Sequence, residues 1–271
     1  MSEANNHGAM TIPALLAMKQ RGERIAALTA YDASMARLAD RAGVDLVLVG
    51  DSLGMVIQGH ASTLPVRLED VAYHTAAVRR GLERALLVAD LPFLSYPDRE
   101  SAFLAARRLI GECGAAMLKL EGAGYVIELV AALVEREVPV CGHLGLTPQS
   151  VLRLGGYRLQ AREEDAQRRL AADALALVEA GISALVLECV PSELARRLAR
   201  ELPVPVIGIG AGPGCDGQIL VSYDLLGISP GRRPRFCRDF LAGRGSVSEA
   251  FAAYVRAVKE GDFPSAAETL A

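Results

Sequence analysis

Eight short and nearly uninterrupted apolar runs recur along the chain, and segments with helical spacing lie between them. Runs that are apolar at almost every position are typical of strands buried on both faces, in a parallel sheet covered by helices. Eight repeats in 271 residues predict a (β/α)8 TIM barrel, with a doubly wound sheet as the alternative. The runs are RIAALTAYD (24–32), VDLVLVGD (44–51), ALLVAD (85–90), AMLKLE (116–121), VPVCGH (138–143), SALVLE (183–188), VPVIGIG (204–210) and, more weakly, YDLLGI (223–228).

The segments between these runs place apolar residues three and four positions apart and often end at a glycine, as amphipathic helices do. We expect residues 1–23 to contribute an N-terminal helix that caps the bottom of the barrel, and residues 246–261 to form a C-terminal helix. Because no low-complexity tract or linker divides the chain, residues 1–271 are expected to form one barrel domain.

Charge and composition argue against several classes of partner. The 32 acidic and 29 basic residues form no long run of one sign, so neither nucleic acid nor a membrane surface is expected to bind. No apolar stretch approaches the roughly 20 residues that cross a bilayer, and the N-terminus lacks a signal-peptide pattern, so the expected location is the cytoplasm. The five cysteines lack CxxC spacing and are expected to be reduced.

Charged side chains lie at the ends of the predicted strands, which is where barrel enzymes carry their catalytic groups. Asp32 directly precedes a helical segment and is therefore expected to be its N-cap. Asp51 and Asp90 are followed by apolar or small residues instead, which favours a functional role, although capping by one of them stays open. The complete set is Asp32, Asp51, Asp90, Lys119, Glu121, His143 and Glu188.

Three of these side chains, Asp51, Asp90 and Glu121, are carboxylates on neighbouring or near-neighbouring strands. Such a set offers hard oxygen ligands, which suits Mg²⁺ bound through one or two direct carboxylates and water. We therefore expect Asp51 to hold a magnesium ion. The small residues that follow it would let the backbone N–H of Ser52 approach the substrate that the metal carries.

Two pairs of side chains share a strand face because they are two residues apart. Lys119 and Glu121 point to the same side, either into the barrel mouth or as a buried ion pair that satisfies itself. Cys141 and His143 do the same and raise the possibility of zinc. Zinc normally needs three or four nitrogen or sulfur ligands, however, and no second pair lies nearby in the sequence.

Glu188 ends a different strand and is followed by Cys-Val-Pro. Apolar neighbours disfavour the ionised form of a carboxylate, so Glu188 is expected to be basic enough to act as a general base. The alternative is that it caps the N-terminus of the following helix.

Two loops are further candidates. The glycine turn 207–212 either binds a phosphate or packs at the barrel rim, and residues 145–162 either close over the site or contact another subunit. His60 and His74 lie away from strand ends and are expected at a surface.

Many longer motifs over residues 11–262 resemble the ketopantoate hydroxymethyltransferase family. They include TAYD, VGDSLGMVIQGHASTLPV, LLVADLPF, LKLEG, VPVCGHLGLTPQSV, LVLECVP and PVIGIGAG. The resemblance implies a magnesium-dependent barrel enzyme of pantothenate and coenzyme A biosynthesis. Such an enzyme transfers a hydroxymethyl group from 5,10-methylenetetrahydrofolate to 3-methyl-2-oxobutanoate and forms 2-dehydropantoate. The resemblance also implies a homodecamer.

Matching motif to motif, the resemblance implies a role for each residue of the predicted site. The implied metal ligands are Asp51, Asp90 and Glu121. The implied substrate contacts are Asp51, Ser52, Asp90, Lys119 and His143. Glu188 is implied as the proton acceptor, so that a magnesium-stabilised enolate of the 2-oxo acid forms, with Lys119 adding to the charge stabilisation.

Three other functions stay open at this point. An inward lysine on a barrel strand also suits an aldolase in which Lys119 forms a Schiff base. A metal-dependent lyase that cleaves C–C bonds, as in the phosphoenolpyruvate mutase and isocitrate lyase barrels, would use the same carboxylates. The third is a barrel without catalytic activity that binds a 2-oxo acid or serves as a scaffold.

Overall fold

The computed structural model of the chain describes residues 8–229, 231 and 233–270. Eight parallel strands close into a barrel in sequence order, and β1 pairs with both β2 and β8. The predicted (β/α)8 TIM barrel is therefore confirmed, and the doubly wound sheet is wrong. The strands are β1 (Ile25–Thr29), β2 (Leu46–Val49), β3 (Leu86–Asp90), β4 (Met117–Glu121), β5 (Val140–Gly145), β6 (Ala184–Glu188), β7 (Val206–Ile209) and β8 (Gly217–Leu220).

Helices cover the outside of the barrel and close one end of it. The Asp32 side chain accepts hydrogen bonds from the backbone N–H groups of Ser34 and Met35, at 2.8 and 2.9 Å, so the predicted N-cap is confirmed. The helices are α1 (Ile12–Gln20), α2 (Ala33–Arg41), α3 (Leu53–Val56), α4 (Leu68–Arg79), α5 (Arg99–Ala106), α6 (Tyr125–Glu135), α7 (Val151–Leu154), α8 (Glu164–Glu179), α9 (Ser192–Glu201), α10 (Ser222–Leu225) and α11 (Val247–Glu260).

The last strand differs from the prediction. The run YDLLGI contributes to α10, and β8 is the preceding segment GQIL. The glycine and glutamine of GQIL interrupt the apolar pattern that identified the other strands. Both residues have a packing reason: a Cβ at Gly217 would lie 2.4 Å from the carbonyl oxygen of Ile25, and the buried Gln218 side chain donates to the carbonyl oxygen of Gly212 at 3.0 Å.

The barrel interior forms a core of its own, and α1 closes its lower end. Leu15 and Met18 of α1 are buried in the same cluster as inward residues of the strands, such as Ile25 and Met117. The predicted capping helix is thus confirmed, whereas residues 1–7 of its segment lie outside the described residues. The predicted C-terminal helix is confirmed as α11, which is capped by the side chain of Ser246.

The cysteines agree with the expectation that they are reduced thiols. All five cysteines are buried, and none forms a disulfide. Among the described residues, no helix has both the length and the apolar character needed to cross a membrane.

Candidate active site

A cavity of about 990 Å³ opens at the carboxyl-terminal end of the barrel. Strand pairing brings its polar groups together: Asp90 on β3 is in register with Lys119 on β4, and Glu121 on β4 with His143 on β5. The structure therefore assembles all seven predicted site residues at one place. They are Asp51, Ser52, Asp90, Lys119, Glu121, His143 and Glu188.

Asp51 and Asp90 are neighbouring buried carboxylates at the ends of adjacent strands. The backbone N–H of Asp51 donates to Oδ2 of Asp90 at 3.0 Å, and both carboxylates are buried. Burial raises the pKa of Asp51 well above its usual range, and the negative charges of Asp90 and Glu121 raise it further. Burial likewise raises the pKa of Asp90, although the Lys119 ammonium opposes the rise. This pair therefore carries more negative charge than its surroundings neutralise.

Lys119 supplies the cation of the site. Its Nζ donates to Oδ1 of Asp90 and lies 3.7 Å from Oε1 of Glu121. Burial lowers the pKa of Lys119, but the charges of Asp90, Glu121 and Asp51 outweigh burial and raise it. A lysine that stays protonated cannot attack a carbonyl carbon, since a Schiff base forms only from the neutral amine. The geometry therefore disfavours the Schiff-base aldolase.

His143 joins two carboxylates. Its Nδ1 lies 3.2 Å from Oε1 of Glu121 and its Nε2 lies 3.3 Å from Oε2 of Glu188. Burial and the Lys119 charge lower the pKa of His143, but the two carboxylates outweigh them and raise it to about 9. An imidazolium at neutral pH results. The apolar surroundings that the sequence suggested for Glu188 are thus replaced, on one side, by a cation.

Glu121 differs from the two aspartates because its charge is already matched. Burial raises its pKa, but the contacts with His143 and Lys119 and a backbone N–H outweigh burial and lower it. One of its oxygens faces His143, and the other accepts from the N–H of Gln149 at 3.0 Å. Glu121 therefore stays ionised with both oxygens engaged.

Asp51 and Asp90 present hard carboxylate oxygens, which are the donors that magnesium prefers. In the part of the chain that the structure describes, no three or more His, Cys, Asp or Glu side chains form a complete metal site. Mg²⁺ does not require one, because it usually keeps several waters and binds through one or two carboxylates. A divalent cation at this pair would also stabilise the ionised carboxylates, which burial disfavours.

The sequence did not identify two neutral residues of the site, Gln149 and Tyr31. Gln149 donates from Nε2 to Oδ2 of Asp51 at 2.9 Å, and the hydroxyl groups of Tyr31 and Ser52 are 2.8 Å apart. Tyr31 precedes the Asp32 cap in TAYD, and Gln149 follows a proline in LTPQS, so only their motifs could have drawn attention to them. His74 is half-buried, with Nδ1 2.6 Å from the carbonyl oxygen of Tyr31, rather than simply at the surface.

The two candidate loops have different outcomes. The glycine turn packs closely: a Cβ at Gly212 would lie 2.0 Å from the Ser192 hydroxyl, and one at Gly210 would lie 2.9 Å from the Phe236 ring. This observation supports packing at the rim rather than a phosphate seat. Of the segment 145–162, residues 157–159 line the cavity, as a covering segment would.

Comparison with known proteins identifies the relatives of this barrel. The sequence profile described as ketopantoate hydroxymethyltransferase matches residues 9–266. The chain belongs to the ketopantoate hydroxymethyltransferase family. A family member from Xylella fastidiosa (strain M12), named 3-methyl-2-oxobutanoate hydroxymethyltransferase, is 57% identical over 270 residues, 99% of each chain. One of the same name from Xanthomonas euvesicatoria pv. vesicatoria (strain 85-10) is 59% identical over 257 residues, 94% of each chain.

These relatives confirm the resemblance and the prediction of a hydroxymethyltransferase enzyme. A solved structure of phosphonopyruvate hydrolase in complex with oxalate and Mg²⁺ shares the fold, with a TM-score of 0.59 and 15% identity. It covers 78% of this chain and 81% of the other. At 15% identity, this similarity shows only that the hydrolase and the ketopantoate hydroxymethyltransferase barrel share a fold.

Proposed function

We propose that this chain transfers a hydroxymethyl group from 5,10-methylenetetrahydrofolate to 3-methyl-2-oxobutanoate and so forms 2-dehydropantoate, a precursor of pantothenate. Family membership supports the reaction. The observation that carries the site is the buried Asp51/Asp90 pair, whose raised pKa values call for a cation, beside Lys119 and within one cavity with Glu188. The proposal includes a single domain over 1–271, a cytoplasmic location and a homo-oligomer, with the decamer as the expected state.

Asp51 and Asp90 would hold Mg²⁺, with Glu121 behind them through water. Bound there, the metal supplies a Lewis acid that polarises the keto oxygen of the 2-oxo acid. A barrel of this fold that binds Mg²⁺ together with oxalate, which also presents adjacent oxygens, supports this choice of metal. Lys119 adds a fixed positive charge near the developing negative charge, and a buried site strengthens that interaction.

Glu188 is the proposed general base. It would take the proton from the carbon next to the keto group, and His143, with Nε2 3.3 Å from Oε2 of Glu188, would hold the side chain in place. General base catalysis of this kind contributes about 10²–10⁴-fold to the rate. The Ser52 hydroxyl, positioned by Tyr31 at 2.8 Å, would orient the substrate carboxylate.

We expect the folate to bind in the outer part of the cavity, next to the deprotonated carbon. Two bonds form at the methylene carbon, one to the deprotonated carbon and one to the oxygen of a water, and its two bonds to folate nitrogens break. Both nitrogens leave as N–H, with one proton from the water and one from the substrate. The net transfer therefore consumes one water and yields tetrahydrofolate. Glu188, with His143 at 3.3 Å, would hold the proton that the substrate lost until it passes to one of those nitrogens.

The test is product formation by the purified protein. With both substrates and Mg²⁺, mass spectrometry should detect 2-dehydropantoate, and EDTA should abolish it. Glu188→Gln should lower kcat by about 10²–10⁴-fold. Glu193→Gln is the matched control, because that side chain is 78% exposed on α9.

Three outcomes would contradict parts of the proposal. Equal product with EDTA would remove the metal from the mechanism. Borohydride trapping of substrate on Lys119 would favour the Schiff-base route. No product under either condition would mean that the substrates are wrong.

A further inference from the structure

Gln149 is a buried residue that the proposed reaction does not use. Its side-chain Nε2 donates to Oδ2 of Asp51 and to the carbonyl oxygen of Leu91, both at 2.9 Å. Its Oε1 accepts from the hydroxyl group of Tyr96 at 3.2 Å. Both N–H groups and the oxygen are thus engaged. A flipped amide would turn its oxygen toward two acceptors, so these contacts determine which end faces Asp51.

The backbone of Gln149 holds a second carboxylate. Its N–H donates to Oε2 of Glu121 at 3.0 Å. The residue lies in a single 3-10 turn, Pro148–Ser150, between β5 and α7. The first N–H groups of a helical turn have no partner within it, and Pro148 has none to offer, so the N–H of Gln149 is the first one free to bind a carboxylate.

These contacts restrict how Asp51 can bind a cation. Oδ2 of Asp51 is occupied by the amide of Gln149, whereas no hydrogen bond from the described residues reaches its Oδ1. Rotation of the carboxylate would exchange the two oxygens, and it would break the bond to Gln149. A cation bound here would therefore meet an Asp51 carboxylate whose orientation is already fixed in the folded protein.

We propose that Gln149 is a positioning residue of the cation site, which orients Asp51 through its side chain and Glu121 through its backbone. Tyr96 extends this network, because its hydroxyl group donates to Gln149 and accepts from the N–H of Glu121 at 3.4 Å. The inference rests on the proposed cation site at Asp51 and Asp90. It assigns to a neutral loop residue the role that hydrogen-bonded supporting groups have around metal ligands.

The experiment measures Mn²⁺ affinity of the full-length, substrate-free protein by electron paramagnetic resonance of the free ion. Gln149→Leu should weaken binding by about 10–100-fold, the usual cost of losing such a supporting contact. Tyr96→Phe should weaken it by a smaller factor. The same change should have a smaller effect in the Gln149→Leu background, because Tyr96 then keeps only its contact with the N–H of Glu121.

Gln160→Leu is the matched control. Gln160 belongs to the same segment, but its side chain donates to the carbonyl oxygen of Arg158 and contacts no carboxylate. Its Mn²⁺ affinity should stay within twofold of the parent. Thermal unfolding without metal verifies that each variant folds. If Gln149→Leu does not fold, the Mn²⁺ affinity of Tyr96→Phe decides the test.

Two results would overturn the inference. One is an unchanged Mn²⁺ affinity in folded Gln149→Leu or, if that variant does not fold, in Tyr96→Phe. The other is full additivity of the two substitutions. Either result, in a parent that binds Mn²⁺ and forms product, would leave the proposed function standing. A parent that binds no Mn²⁺ would instead overturn both the cation site and the role of Gln149.

Discussion

The two ends of β2 carry buried carboxylates with opposite surroundings. Asp45, just before the strand, accepts from the N–H of Ala26 at 2.9 Å, contacts Lys259, and lies 3.6 Å from Arg84. Asp51, just after the strand, accepts from the neutral amide of Gln149 and lies beside a second carboxylate. The lower carboxylate has two cations of its own, and the upper one shares a single lysine.

This difference separates a structural carboxylate from one that is arranged to bind a ligand. A buried charge with cations and a backbone donor is satisfied within the fold. A buried pair with too little positive charge destabilises the protein until a cation binds, and such local conflicts are expected at functional sites. Substitutions at the two ends of the strand should therefore have opposite effects on activity and stability.

The largest expected effect is loss of activity in Asp51→Asn. Removing a proposed direct ligand should lower kcat by at least about 10²-fold, more than the loss of a supporting contact. Without metal, the free energy of unfolding should stay equal or rise by up to about 1 kcal/mol, because a repulsive charge is removed. Enzyme assay and urea unfolding at pH 7 measure both. A metal-free loss of stability above about 1 kcal/mol would place Asp51 in the structural class with Asp45.

Asp45→Asn should show the reverse. Loss of one partner from a buried ion pair costs about 3–5 kcal/mol, and about 2–4 kcal/mol is expected here because the Lys259 and Arg84 side chains are 34% and 21% exposed. The kcat of the folded variant should equal that of the parent. If Asp45→Asn unfolds at the same urea concentration as the parent, or loses kcat without losing stability, the two ends of the strand do not differ as we expect.

Addition of Mg²⁺ sharpens the same comparison. At a concentration 100 times its Kd, a ligand that binds only the folded state stabilises it by about 2.7 kcal/mol. The parent and Asp45→Asn should both gain this stability in urea unfolding, whereas Asp51→Asn should gain far less. An equal gain in all three proteins would locate the cation elsewhere.

The smallest effect concerns Glu268, a satisfied carboxylate near the C-terminus. Its hydrogen bonds from Arg238, together with those from Ser265, outweigh burial and lower its pKa from 4.5 to about 2. Its stabilising contribution is therefore complete above pH 4.5 and disappears as the pH falls through about 2. Glu268→Gln should lose up to about 1 kcal/mol at pH 7, since solvent screens the pair.

The measurement for Glu268 is urea unfolding of parent and variant between pH 7 and pH 2. Their stabilities should converge on the acidic side of pH 4.5. A difference that is independent of pH would mean that the ion pair with Arg238 does not cause it.

The charged residues of the site were predictable, as was Ser52, which directly follows Asp51, but the other neutral residues were not. Asp51 and Glu188 stand out because each ends an apolar run, where a charge is conspicuous. Gln149 and Tyr31 look like ordinary loop residues in the sequence. The strand GQIL escaped prediction for a related reason: Gly217 is required by its close approach to the backbone of Ile25, which is distant in the chain, and Gln218 by a hydrogen bond to the loop residue Gly212.

By itself, the sequence determined the barrel, the capping helix and the charged groups at the carboxyl ends of the strands, because periodicity and strand ends are local properties. Only the tertiary structure decided how those charges are shared. Glu121 is paired with His143, whereas Asp51 and Asp90 share the single cation Lys119. Gln149 reaches Asp51 across 98 residues of sequence. Pairing depends on distances in space between different strands, and no local pattern records them.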